Sequence, residues 1–371
     1  MQEKKLRNIE SGKVQRLTLA EQIDHVVRRS RAFYNSPSPG HLLIHCEIPV
    51  DRPPLPALTN FDLHGQLEEW LQALLDYYRP LWKIKNDLDD DTLPNICPWF
   101  GIAEHSAWTG AEVHLQETTS LPVPFIHELA DVEKLSFTPA QPWFQLMKRG
   151  YEWLRHQQDG TFLLSLRGTM APLDLANAIR GNDLFTDFFL QPELVHRLLE
   201  KLSQGIRWYF SHLLDWSDCV QDGKVFWITG GWMPKGTFGH LSNDATLLCS
   251  ADSYRDFSYP VEKELVSHYE GSLYHIHNEK WHYVPLLASL PGMRLLEVSN
   301  DPNAVPTLED LDTVYRHTGD CNLLLHGTSE QVRRHIAELR RRNVFLQISC
   351  RDRDDARDLV RLVRSHSVFR S

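Results

Sequence analysis

The sequence has no apolar run near the roughly 20 residues that cross a bilayer. Its charged beginning, MQEKKLRNIESGKVQRL, contains no apolar stretch typical of a signal peptide. We therefore expect a cytoplasmic protein with no membrane partner. Positive charge is also scarce, because 39 Lys and Arg stand against 49 Asp and Glu and give a formal net charge of -10. This balance argues against a nucleic-acid partner, which needs a basic surface.

Compact cysteine and glycine motifs are absent as well. The six cysteines are scattered without a CxxC pair, which argues against a zinc ribbon or thioredoxin motif and is typical of reduced thiols. No GxGxxG or GxxxxGK[ST] motif follows the first apolar run, so no dinucleotide or P-loop site is indicated. The DxHxxG signature of a corrinoid-binding domain is not found either.

What the sequence does contain is a series of short apolar runs that alternate with helical patterns. The runs are HLLIHCEI, NICPWFG, TFLLSLRG, KVFWITGG, SLYHIHN, MRLLEVSN, NLLLHGT and VFLQIS. This alternation predicts βαβ units and a parallel sheet. We predict an α/β protein with a (β/α)8 TIM barrel as one domain over residues 1–371, in which residues 1–38 form an N-terminal helical extension. An open doubly wound sheet is the structural alternative.

In a parallel barrel the active-site groups come from the carboxyl ends of the strands. The candidates at these ends, in chain order, are His45, Glu47, Trp99, Glu104, His105, Arg167, Trp232, His275, His277, Glu297, His326 and Cys350. Glu297 is notable because a carboxylate on a buried strand needs a partner to offset several kcal/mol of desolvation.

The segment SLYHIHN predicts a metal site. Residues two apart on a strand point to the same side, so His275 and His277 project together and can chelate zinc. Cys350, at the end of the last run, is the most attractive third ligand. The plainer interpretation is that His275 is a buried histidine bonded to a carbonyl and Cys350 a small buried side chain.

The order of several segments resembles the uroporphyrinogen decarboxylase superfamily, which includes the cobalamin-dependent methyltransferases. The similar segments are PWFGIAEHSAWTGAEVHLQETTSLPVPFI, RGTMAPLDLANAIRGNDLFTDFFLQPELVHRLLEKL, NDATLLCSADSYRDFSYPVEKELV, LYHIHNEKWHYVPLLASLPGMRLLEV, HGTSEQVRRHIAEL and ISCRDRDDARDLVRLV. The resemblance implies a (β/α)8 barrel with its site at the carboxyl-terminal mouth. In the methyltransferase branch a His-x-Cys pair and a later Cys hold zinc, and His277 departs from that pattern.

The decarboxylase branch is less similar. Its RQAGR-like arginine segment is absent, with LLIHCEIPVDRPP in that region, and its Gly-His-Gly near the end is missing. Without an arginine cluster, a substrate with many carboxylates has little to hold it. We therefore rank methyl transfer above tetrapyrrole decarboxylation.

The function we expect is zinc-dependent methyl transfer to or from a small-molecule substrate, with the methyl group exchanged with a corrinoid on a partner protein. Glu297, His326 and Glu47 would act as a fourth ligand or transfer protons, and a further set would bind substrate: His45, Trp99, Glu104, His105, Arg167 and Trp232. The alternatives are a cofactor-free decarboxylase or lyase that uses Arg167, His45 and Glu47, and a degenerate binding protein. A homodimer is left open.

Overall fold

The computed structural model describes residues 17–369, so residues 1–16 of the predicted extension lie outside the described residues. Its strands are β1 Leu42–Glu47, β2 Asn95–Ile96, β3 Glu112–Leu115, β4 Ser120–Val123, β5 Leu163–Leu164, β6 Thr169–Met170, β7 Gly223–Val225, β8 Trp232–Pro234, β9 Thr237–Ser242, β10 Gly271–His277, β11 Met293–Ser299, β12 Leu323–Thr328 and β13 Val344–Ser349.

The helices alternate with these strands. They are α1 Leu19–Asn35, α2 Leu67–Lys85, α3 Glu104–Ala107, α4 Pro142–His156, α5 Pro172–Arg180, α6 Asp183–Leu190, α7 Pro192–Trp216, α8 Ala251–Ser253, α9 Tyr259–Ser267, α10 Val284–Ala288, α11 Leu311–Thr318, α12 Ser329–Leu339 and α13 Arg353–His366. A π-helical turn, Tyr254–Ser258, joins α8 to α9. Within residues 17–369, no helix is long and apolar enough to cross a membrane.

The main sheet has seven parallel strands in the order β1-β13-β12-β11-β10-β9-β6. The short strands β2 and β5 form a separate parallel pair, and β5 lies in the same chain segment as β6. The predicted parallel α/β architecture is confirmed. The closed eight-stranded barrel stays a prediction, and this strand order is compatible with it.

One predicted strand is wrong. The run KVFWITGG does not supply a strand of the main sheet; its first part is β7, which forms an antiparallel hairpin with β8 and brings Trp232 into that hairpin. The main-sheet strand of this region is β9, with the sequence TFGHLS. Gly239 and polar residues interrupt β9, so its apolar signal is weaker than that of the neighbouring hairpin.

The strands of the main sheet are apolar on both faces because both faces are covered. In β12, Leu323, Leu324 and Leu325 are all fully buried. Such continuous apolar runs are typical of parallel strands with helices on one side and a packed interior on the other. Each fully buried leucine contributes about 1.5–3 kcal/mol relative to exposure. The core therefore fixes the sheet register, and that register sets the positions of the polar side chains.

Helix α1 is the observed part of the predicted extension. It begins with a capping box between Thr18 and Glu21. Val26 and Val27 pack with Trp232 of the β7–β8 hairpin in a small second hydrophobic cluster. The helix is also held by Arg29, whose Nε atom lies 2.5 Å from Oδ1 of the buried Asp91.

Candidate functional site

Polar side chains form a row across one face of the main sheet. His275 of β10 is the register partner of Glu297 of β11, and His326 of β12 is the partner of Gln347 of β13, which is also the partner of His45 of β1. Glu297 is the register partner of Leu324, which lies two residues before His326 on β12. Register partners in parallel strands point to the same face, and so do residues two apart. The row therefore crosses five adjacent strands on one face.

Glu297 lies at the centre of this row and is buried. Its carboxylate contacts three imidazoles: Nε2 of His240 at 2.7 Å, Nε2 of His326 at 2.8 Å and Nδ1 of His275 at 3.1 Å. Burial alone would raise the pKa of Glu297, but the neighbouring histidines hold that pKa well below its usual range. The carboxylate that the sequence left without a partner is thus ionised and fixes three rings.

Beyond Glu297, towards the carboxyl ends of the strands, three possible metal ligands converge. Nε2 of His275 lies 3.2 Å from Nε2 of His277, and Oδ1 of Asp244 lies 3.8 Å and 3.5 Å from these two atoms. The other ring nitrogen of each histidine faces a carboxylate, since Nδ1 of His277 lies 3.1 Å from Asp301 and Nδ1 of His275 faces Glu297. Carboxylates on the outer nitrogens orient histidine ligands in metal sites.

Asp244 reaches this position because a buried aspartate holds its loop. Asp174, in the first turn of α5, accepts hydrogen bonds from the Ser242 hydroxyl at 2.7 Å and from the backbone N–H groups of Asp244 at 2.9 Å and Ala245 at 2.7 Å. Burial and the nearby Asp244 charge raise the pKa of Asp174 to about 8. The loop after β9 is therefore fixed by contacts to a different βα unit.

The residues present fit a divalent metal. Oδ1 of Asp244 has no hydrogen-bond partner among residues 17–369. Two atoms bound to one zinc at about 2.0–2.1 Å in a tetrahedron lie about 3.3–3.4 Å apart, close to the separations seen here. With Nδ1 of both histidines turned to carboxylates, both Nε2 lone pairs face the same point, which a shared cation stabilises.

A second set of possible ligands is better explained without metal. His240, His275 and Glu297 also lie close enough to share an ion. However, the Glu297 oxygens already accept from imidazole nitrogens, and both Glu297 and His240 are buried. The side chain of Asp244, in contrast, is 46% exposed, so the first set lies nearer the solvent than Glu297 and His240 do.

The negative surroundings of His275 also favour a proton, which is the metal-free alternative. Burial alone would lower the pKa of His275, but the charge and hydrogen bonding of Glu297 and the charges of Asp244 and Asp174 raise it to about 9. A cation of some kind at the paired Nε2 atoms is therefore favoured. Direct measurement of bound metal distinguishes the two.

Cys350 does not join this group. It lies two residues after Ile348, which is the register partner of Cys46, so both cysteines are on the opposite face of the sheet from the histidine row. Cys46 contacts Cys350 and has a sulfur–oxygen distance of 4.0 Å to Ala356 of α13. Cys350 thus packs in the helix layer, and neither cluster of potential ligands among the described residues includes it.

The predicted substrate-binding residues divide into two groups. His45, Glu47 and Trp99 line a cavity of about 550 Å³ beside the row. Arg167 and Glu104 form a buried ion pair, with 2.6 Å between Nε and Oε1, and His105 is buried near them. Trp232 packs under α1, away from these groups.

The residues that sequence reasoning missed are His240, Asp244, Asp301 and Asp174. His240 lies on β9, which the sequence does not predict, so no sequence pattern placed His240 on a strand of the main sheet. Asp244 and Asp301 each follow a strand of the main sheet by two residues. A search for carboxylates just beyond strand ends would have found both, since that is where parallel sheets place metal ligands.

A further buried acid supports the strand that carries the histidines. Glu262 of α9 accepts hydrogen bonds from the Tyr254 and Ser258 hydroxyls at 2.9 Å and 2.6 Å, and it also contacts Tyr274, the residue before His275. Burial raises the pKa of Glu262 from 4.5 to about 7. The folded state therefore favours the protonated acid.

This acid gives a pH-dependent prediction. Because its folded pKa is raised, the stability it contributes is complete below about pH 4.5 and is lost as the pH rises through 7. Glutamine at this position cannot ionise. Between pH 5 and pH 8 the free energy of unfolding should therefore fall less in Glu262→Gln than in the natural protein, by on the order of 2 kcal/mol. Urea unfolding at both pH values measures this, with the exposed Glu264→Gln on the same helix as control. Equal pH dependence of Glu262→Gln and the natural protein would contradict it.

The comparisons with known proteins bear on the fold. No protein-family model matches the chain, and no curated protein matches it. Among solved structures, the chain is similar to a methyltransferase from Methanosarcina mazei, with a TM-score of 0.57 and 11% sequence identity over 94% of this chain and 99% of that one. At this identity the likeness shows a shared fold along nearly the whole length of both chains.

Proposed function

We propose that the protein is a zinc-dependent methyltransferase whose metal is held by His275, His277 and Asp244. The observation that carries this proposal is the convergence of the two Nε2 atoms and the unpartnered Asp244 Oδ1 within 3.8 Å of one another. Two histidines and one carboxylate, with an open position for substrate, form a common catalytic zinc set. The fold shared with a methyltransferase supports methyl transfer as the reaction class.

The donor set differs from that of the His-x-Cys and Cys pattern in the methyltransferases that the sequence resembles. It replaces two thiolates with an imidazole and a carboxylate, which are harder ligands and leave more positive charge on the metal. Zinc bound there would act as a Lewis acid that binds and activates the heteroatom receiving the methyl group. Asp244 takes the place that the sequence assigned to Cys350.

The residues around this set have separate roles. Glu297 and Asp301 orient His275 and His277 through their Nδ1 atoms, which keeps both Nε2 atoms directed at the same point. His326, bonded to Glu297, lies on the row between this set and the cavity and can take the proton that a thiol or similar acceptor loses. Asp174 positions Asp244.

The methyl donor in this proposal is a corrinoid carried by a partner protein. The corrinoid would supply an electrophilic methyl group, and the acceptor heteroatom would lose its proton to His326. The experiment mixes the zinc-loaded protein with methylcobalamin and a small thiol and follows loss of the methylcobalamin absorbance together with formation of the thioether. EDTA should stop the reaction and zinc should restore it.

Asp244→Asn tests the ligand set in the same assay. The amide keeps the shape of the side chain but removes its charge, so we expect turnover to fall by about tenfold or more. Asp252→Asn, an exposed acid on α8, is the matched control and should leave turnover unchanged. Turnover of a carboxylated substrate that EDTA does not affect would instead support a cofactor-free lyase.

A further inference from the structure

The cavity of about 550 Å³ lies beside the histidine row and has a lining that is unusually rich in aromatic side chains. Its walls include Tyr77, Tyr78 and Trp82 of α2, together with Trp99 and Trp227. Trp99 and Trp227 stack on each other with ring centroids 5.2 Å apart. Its size is within the range of small-molecule sites.

Several polar atoms of this lining are buried and have no hydrogen-bond partner among residues 17–369. They are Nη1 of Arg52, Nε1 of Trp227, Nδ1 of His45 and Oε1 of Gln347. Buried polar groups are nearly always paired in proteins, by protein, water or ligand, and these four surround one cavity. At least two of the four, the guanidinium and the indole N–H, are donors.

The charges of the lining indicate what the ligand carries. Lys85 is paired with Asp90 at 3.0 Å, and Glu47 accepts from Gln347 at 2.8 Å and from Ser349 at 3.1 Å. Arg52 has no ion pair within the described part of the chain. Its guanidinium carbon instead lies 3.8 Å from the ring centroid of Tyr77, which fixes its position. One positive charge is thus left without a counter-ion.

The cavity is connected to the proposed metal set through the polar row. His45 and Gln347 both line the cavity and are register partners, and Gln347 is also the partner of His326, which is bonded to Glu297. A molecule in the cavity therefore lies beside β1 and β13, and β12 and β11 separate these strands from β10, which carries His275 and His277.

We propose that this cavity binds a small organic monocarboxylate with an apolar or aromatic body. Its carboxylate pairs with the positive charge of Arg52, and its body lies among the tyrosine and tryptophan rings. A single negative charge is favoured because, among the charged lining residues and within residues 17–369, Arg52 alone lacks a counter-ion, and Glu47 repels a second charge. This assignment rests on the proposed function for its role as the substrate site, but binding itself does not require the metal.

The experiment measures binding of three probes of one shape by isothermal titration calorimetry. The probes are 2-naphthoate, the neutral 2-naphthamide and 2-naphthyl phosphate. We expect 2-naphthoate to bind about tenfold more tightly than either of the others, since a charge-assisted contact to Arg52 distinguishes it from the amide. Equal binding of the amide, tighter binding of the phosphate, or binding of none would overturn the proposal.

Variants locate the site. Arg52→Gln should weaken 2-naphthoate by about tenfold and leave 2-naphthamide unchanged, so that the preference for the acid disappears. Arg361→Gln, an exposed arginine on α13, is the matched control and should bind as the natural protein does. Unchanged 2-naphthoate binding in Arg52→Gln would overturn the assignment, with circular dichroism confirming that each variant is folded.

A repeat of the titration after EDTA treatment separates this proposal from the proposed function. Arg52-dependent binding that persists in protein without zinc-dependent activity supports the carboxylate site and contradicts only the methyltransferase. Zinc-dependent activity without selective 2-naphthoate binding contradicts only the carboxylate site.

Discussion

Replacing His277 by alanine is expected to lower zinc affinity on the order of 100-fold or more, because the change removes one of three protein ligands. His275→Ala should have the same effect. Protein purified without chelator should contain roughly one zinc per chain, and each variant should lose it. Elemental analysis and competition with a chromophoric chelator measure content and affinity.

Two control variants make this result specific. His282→Ala changes a nearby histidine whose Nε2 atom lies 2.9 Å from a backbone carbonyl oxygen, so zinc should be retained. Cys350→Ala should also retain zinc, because Cys350 is on the other face of the sheet. Loss of zinc in Cys350→Ala would restore the ligand set expected from the sequence. No bound transition metal in the natural protein would mean that the paired Nε2 atoms share a proton.

Replacing Arg167 by methionine is expected to destabilise the fold by about 3–5 kcal/mol, because it leaves a buried carboxylate without its partner. Arg167 is fully buried, and its Nε atom lies 2.6 Å from Oε1 of Glu104, which is 3% exposed. Glu104 also accepts the backbone N–H of Phe100 at 3.0 Å. The free energy of unfolding from urea titration measures the loss.

The matched variant is the double change of Arg167→Met with Glu104→Gln. The glutamine keeps an acceptor for Phe100 and removes the unpaired charge, so most of the stability should return. If the double variant is no more stable than Arg167→Met alone, the cost comes from lost packing against Trp99 and Trp227. The Arg167 guanidinium carbon lies 4.5 Å and 3.8 Å from the centroids of these two rings.

Some features of the site could be read directly from residue types and spacing. His275 and His277 alternate with a buried isoleucine on one strand, so their common face follows from the period of two. Glu297 on a buried apolar strand required a partner, and it has three. These conclusions depend only on local geometry and on the cost of burying charge.

Other features depended on which segments pair. The sequence predicts the fourth strand at the apolar run KVFWITGG, whereas β9 takes that place in the sheet. Because β9 is not predicted as a strand, two residues of the site are not predicted either: His240 lies on β9, and Asp244 follows it. The apolar content of a segment does not determine which strand it pairs with, and β10 pairs with TFGHLS rather than with the more apolar KVFWITGG.

The sequence by itself determined the parallel α/β alternation, the paired histidines and the need of Glu297 for a partner. Only the tertiary structure decided which carboxylate completes the cluster and which face Cys350 occupies. Asp244 is brought to the histidines by Asp174, 70 residues earlier in the chain, through hydrogen bonds between two βα units. Cys350 is turned away because the register with β1 places it opposite the row, and register is set by packing of the whole sheet.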